Sequence, residues 1–130
     1  MKPELMYLVW VTILTAIIWI PYVLDRMAVW GLTDTVGYPE TPKAQSPWAR
    51  RMKAAHANAV ENLVVFATLV LVANAVGISN AATVFAAALY FGARLVHVLA
   101  YTFALPWVRT VAFAGGFVAQ VIFAWQLVVR

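Results

Sequence analysis

The 130-residue chain contains no cysteine. Disulfides and thiolate metal sites are therefore excluded, and any sulfur chemistry must use sulfur brought by a ligand. Charge is scarce as well: 5 acidic residues and 9 lysines and arginines make up 11% of the sequence, where a soluble domain carries about 25%. No Gly-rich phosphate loop, catalytic serine motif or paired-carboxylate hydrolase signal is present. The sequence is instead 65% hydrophobic, with a mean hydropathy of +0.85. It reads as an all-α integral membrane protein, with residues 1–130 forming a single domain. A pI of about 9.8 would suggest nucleic acid as the partner of a soluble protein. Here the basic residues flank apolar spans, so lipid headgroups and topology account for them and nucleic acid is not expected.

The spacing predicts four spans, at about 5–24, 48–76, 81–103 and 107–129. Each is long enough to cross ~30 Å of hydrocarbon at ~1.5 Å per residue. Lys2 ahead of an apolar run suggests a signal peptide. The run is too long, holds Trp10 and Trp19 and meets no small-residue cleavage site, so it reads as a retained helix. Residues 25–49 carry Gly31, Gly37, Pro39, Pro42 and Pro47 and read as the longest loop, with room for a short helix near 26–32. Ser46 is the expected N-cap of the second span, with Pro47 in its first position. Gly77 suits a C-terminal cap, and Ser79 or Asn80 can cap the third span. Small residues four apart, such as Ala88–Gly92 and Ala112–Gly116, allow the last two helices to approach closely.

The first and third loops hold Arg26, Lys43, Arg50, Arg51, Lys53 and Arg109, and the other side only Lys2 and Arg130. This asymmetry places the first and third loops in the cytoplasm and both termini outside.

The polar residues that do enter the spans gather at that same end. At ~100° per residue, Arg94, His97 and Tyr101 share one face of the third helix. Arg51, Asn58, Glu61 and Asn62 share a face of the second that is about 80° wide. Arg94 lies about ten residues from the helix end, or ~15 Å deep, where an unpaired guanidinium is costly. A Glu61–Arg94 ion pair is the expected solution. Arg109 and Thr110 open the fourth helix. The free N–H groups there, joined by an Arg and a hydroxyl, favour an anion such as a carboxylate or a thiolate. His97 and Tyr101 can hydrogen-bond a ligand or act as an acid/base pair. One histidine without a carboxylate partner set is no metal site.

The segment RRMKAAHANAVENLVVFATLVLVANAVG resembles the second helix of the membrane-associated proteins in eicosanoid and glutathione metabolism, the MAPEG family. The pattern of that helix in the family is roughly R-A-H-x-N-x-x-E-N/T followed by an apolar run. The segment FGARLVHVLAYTFALPWVRTVAF resembles their R-x-x-H-x-x-x-Y third helix and the R-S/T start of their fourth. With four spans and a long first loop, the resemblance covers nearly the whole chain.

This resemblance implies a four-helix bundle that assembles as a homotrimer, with glutathione as co-substrate in a polar pocket between subunits. By the family's matching positions, Asn58, Glu61, Arg94, His97 and Tyr101 line that pocket. Arg109 stabilises the thiolate, with Thr110 beside it in place of a Ser. Arg26 matches a further glutathione-binding Arg, and Arg51 is a basic residue of the same region. The chain departs from the prostaglandin synthase-like members at Ala54 and Ala57, where they carry Arg, and at Phe113, where some carry Tyr. The brevity of the chain points to a bacterial inner-membrane member and away from eicosanoid synthesis. Three readings stay open. One is a glutathione transferase or peroxidase acting on apolar electrophiles or lipid hydroperoxides drawn from the membrane. The others are a non-catalytic protein of the same fold and a small lipid-binding or transport protein.

Overall fold

The computed structural model describes residues 1–129; Arg130, counted above on the outer side, lies outside them. The described residues fold into helices joined by short connections: α1 (Pro3–Ile17), α2 (Trp19–Val36), α3 (Pro47–Ala75), α4 (Ala81–Thr102) and α5 (Pro106–Val128). Ile18 between α1 and α2 keeps right-handed helical angles, so the two run on as one rod within the 34-residue stretch Pro3–Val36, unbroken as far as Gly31. Among the described residues, this rod and α3, α4 and α5 are the helices long and apolar enough to span a membrane. The expected second, third and fourth spans agree with α3, α4 and α5 to within a residue at either end.

The first loop is shorter than its composition suggests. Residues 25–36 are helical apart from Gly31, and the remaining irregular backbone of this stretch lies at 37–46. Asp25 to Trp30 contain no helix breaker, and the break comes inside α2 at Gly31 (φ 79°, ψ 164°). Only glycine adopts that conformation without strain. Asp25 then ties the rod to α3 by accepting from the Ser46 backbone N–H (3.1 Å) and the Ser46 hydroxyl (2.5 Å). Ser46 does hold the N-cap position, but its hydroxyl caps nothing on α3, because Asp25 takes it.

At the opposite end Gly77 (φ 76°) closes α3, with the Ile78 N–H reaching back to Ala73 O at 2.8 Å. Asn80 caps α4 in a reciprocal box with Thr83. The Thr83 hydroxyl also donates to buried Glu4 at 2.8 Å, which pins the start of α1 to the start of α4.

The core is small-residue and aromatic. Buried Ala86, Ala87, Ala93, Ala112, Gly116 and Ala119 let α4 and α5 pack along their length. Phe66 stacks on Tyr90 at 3.9 Å and meets Phe123 edge-on at 5.8 Å, which joins α3 to that pair. Ile18, Tyr22, Ala55, Ala59 and Val98 form a second cluster nearer the site. The outer surface carries exposed Val64, Leu71, Phe85, Val111, Phe117 and Trp125, while Arg94 and His97 are buried. Apolar side chains outside and ionisable ones inside suit a lipid solvent.

Candidate functional site

Helical periodicity aligns Arg94, His97 and Tyr101 on α4, and α3 lies against them. Arg94 donates from Nη2 to Asn58 Oδ1 at 2.7 Å and to His97 Nδ1 at 3.3 Å. An arginine only donates, so His97 Nδ1 is the lone-pair nitrogen. His97 is therefore neutral, and Nε2–H is left as a donor. The network continues inward: Asn62 donates to Asn58 O at 2.9 Å, and buried Gln120 donates to Asn62 O at 3.2 Å.

Above this layer, Arg51 donates from Nε to Thr102 O at 2.9 Å, satisfying a carbonyl at the end of α4. Arg109 lies over the Tyr101 ring, 4.7 Å from its centre, as a cation–π contact. The His97 ring meets Tyr101 edge-on at 5.7 Å. Three hollows adjoin at Tyr101. One of about 310 Å³ is lined by Asn58, His97, Tyr101, Arg109, Thr110 and Phe113. A second of about 270 Å³ includes Arg51, Tyr101 and Arg109. The third, of about 300 Å³, includes Pro47, Arg50, Arg51, Ala54 and Tyr101. They bring together most of the polar residues singled out in the sequence.

Arg94 lines none of them and reaches them only through Asn58 and His97, while Arg26 and Glu61 are not brought there. Arg26 donates to Gln45 Oε1 at 3.2 Å and lies over Trp30 at 5.0 Å, so it braces the first loop. Glu61 stays exposed on α3. The expected Glu61–Arg94 pair is thus corrected: among the described residues the side-chain partners of Arg94 are Asn58 and His97. The two α3 residues are three apart, which turns Glu61 about 60° from Asn58. The position facing Arg94 carries a neutral amide, which is cheaper to bury than a carboxylate.

The opening of α5 also differs from the expectation. Pro106 is its first residue, so Arg109 already lies a turn inside and its N–H bonds Leu105 O at 2.9 Å. The exposed Thr110 donates its hydroxyl back to Pro106 O at 2.8 Å and can only accept from a ligand. Positive charge at the site comes from side chains more than from free helix N–H groups.

Sequence reasoning passed over Gln120, although a glutamine amid the apolar run of α5 was a visible signal. His56 lies apart from these residues: its ring bonds the Tyr22 hydroxyl at 2.8 Å through Nδ1, on the α2 side of α3. Sequence reasoning also passed over an apolar groove of about 490 Å³ between α4 and α5, lined by Leu89, Gly92, Val96, Trp107, Val111 and Gly115 among others.

Comparison with curated proteins and with solved structures finds no match. A family model described as MAPEG family matches residues 7–129, nearly the whole chain, and the chain belongs to that family.

Proposed function

We propose that the protein is a membrane-bound glutathione transferase or peroxidase acting on apolar electrophiles or lipid hydroperoxides. The observation that carries this reading is the charge at Tyr101. Arg51 and Arg109 line the adjoining hollows, buried Arg94 backs them, and among the described residues no carboxylate lines any of the three. Such a site asks for an anion with several acceptor groups. Glutathione offers two carboxylates and an ionisable thiol. Arg51, Asn58, His97 Nε2–H and Tyr101 supply donors for the carboxylates, backed by Arg94. Arg109, with Thr110 beside it, stabilises the thiolate. The thiolate then attacks an electrophile that reaches the site from the bilayer: a C–S bond forms as the leaving group departs with its electron pair, whereas at a lipid hydroperoxide the O–O bond breaks, the alcohol leaves, and a second glutathione carries the oxidised sulfur to the disulfide with release of water.

Glu61 enters this reading through assembly, whereas Arg26 supports it only by bracing the first loop. In a homotrimer, the exposed Glu61 of one copy faces the neighbouring copy's site, where a carboxylate suits the ammonium of glutathione. The assembly then also explains how Glu61 avoids lipid, where a charged side chain at the bilayer centre costs several kcal/mol.

The test is thermal unfolding of the detergent-solubilised protein with added glutathione. Ligand at about 100 times its Kd stabilises by about 2.7 kcal/mol, and S-methylglutathione should do so more weakly because it cannot form a thiolate. No stabilisation by either would overturn the reading and favour a non-catalytic member of the family.

A further inference from the structure

Among the described residues, two buried polar side-chain atoms without a hydrogen-bond partner lie one helical turn apart on α4: the Tyr90 hydroxyl and Arg94 Nε. Both belong to the interior of the subunit, with Tyr90 1% and Arg94 3% exposed. Both side chains also lie over the same bare stretch of α5. A Cβ at Gly116 would stand 3.7 Å from Arg94 Cδ and 3.8 Å from Tyr90 Cε1. Cδ is bonded to Nε, and Cε1 is two bonds from the hydroxyl oxygen. Methyl-sized room beside Gly116 is therefore bordered by the two side chains that carry the orphan groups. Tyr90 cannot swing away to find another partner, because its ring is stacked flat on Phe66, 7° from parallel.

An unpaired N–H of a buried guanidinium is among the costlier polar groups to leave unmade. Its complement must accept a hydrogen bond from Nε and also engage the phenol hydroxyl, which can donate or accept. We propose that Tyr90 and Arg94 together hold one buried water molecule, and that through it Tyr90 is a positioning residue for the guanidinium that grips Asn58 and His97. Water fits both ends of the bridge, and buried waters usually make about three bonds to groups that otherwise have none. With Nε tethered on the Tyr90 side and Nη2 tethered to Asn58 and His97, the guanidinium plane has one orientation. Without the tether it can pivot about Nη2, and the donor face presented behind the site loosens. The effect on ligand rests on the glutathione reading; the water site does not.

The experiment uses the full protein in micelles with ¹⁵N-labelled arginine. The Arg94 Hε resonance, assigned by its absence in Arg94→Gln, should show a cross-peak to a bound water proton. Tyr90→Phe keeps the stacked ring and removes the hydroxyl. It should abolish that cross-peak and raise the Kd for glutathione about tenfold, the worth of one hydrogen bond of this class. The thiolate fraction of bound glutathione should not change, which separates positioning from sulfur activation. Absence of the cross-peak in the unsubstituted protein overturns the proposal. So does a Tyr90→Phe protein in which either the cross-peak or the Kd stays at the original level. A shift of the Arg94 Nε resonance when nitrate replaces chloride would place an anion there and overturn the water assignment. If the protein binds no glutathione, the functional reading falls and the cross-peak decides the water site by itself.

Discussion

Arg109 and Arg94 carry the same charge in different settings. Arg109 is half-buried over Tyr101 at the lip of the hollows, where a guanidinium can follow a charge that develops on sulfur. Arg109→Leu should therefore raise the pKa of bound glutathione toward the free-thiol value of about 8.5, with a smaller loss of affinity. Ultraviolet thiolate absorbance across a pH titration measures both. Equal thiolate in the variant and the unsubstituted protein would remove Arg109 from the mechanism. Arg94 is buried and depends on neutral partners. Asn58→Ala should destabilise by about 1.5–3 kcal/mol, the range for a hydrogen bond to a charged group, read by unfolding in mixed micelles. A cycle with Arg94→Gln should show strong coupling, whereas the same cycle at Glu61 should show little in the monomer. Strong coupling at Glu61 instead would mean that the α3 face is turned the other way. The alignment of Arg94, His97 and Tyr101 was legible because α-helical spacing fixes it. The choice between Asn58 and Glu61 was not, since residues three or four apart share a face and only packing decides which one is inward.

Glycine and proline clusters mark where a helix can break, and three of the four spans were legible to within a residue for that reason. The end of the first was not. Gly31 interrupts α2, but the chain resumes helix to Val36, and the residues before it have no reason to leave helix. What holds the polar 25–46 stretch is tertiary: Asp25 on Ser46, Arg26 on Gln45, and the Trp30 indole N–H on Lys43 O at 2.6 Å. Such bonds join residues 13 to 21 apart and leave no periodic trace. Gly31→Ala should cost about 1–3 kcal/mol, because a side chain is strained at that backbone angle. Open space surrounds the position, so a clash would not explain the loss. Unfolding in micelles measures the loss. A neutral result would mean that the kink straightens at no cost. Asp25→Ala should loosen the first turn of α3, giving faster amide exchange at Ala49 and Arg50 than at Val70.

The whole molecule must satisfy the membrane on its outside and the site's polarity on its inside. The single chain does the first along most of its surface, but it leaves Glu61 exposed on a spanning helix. A trimer should show a protein mass three times 14.3 kDa in light scattering after detergent correction. Sidedness follows from the same economy. The end of the bundle that holds Tyr101 also holds Lys43, Arg50, Arg51, Lys53 and Arg109, and basic residues are retained on the cytoplasmic side. We propose that the arginines that would bind a ligand also orient the chain, with the site opening toward the cytoplasm. Thr41 lies in the irregular first loop at that end, and Ser79 in the connection between α3 and α4 at the other. The chain has no cysteine to confuse a label. Thr41→Cys should resist a membrane-impermeant maleimide in intact cells and react after permeabilisation, while Ser79→Cys should react in intact cells. The reverse pattern would turn the site outward, away from cytoplasmic glutathione. The transferase reading would then lose its co-substrate, even with every distance at Tyr101 unchanged.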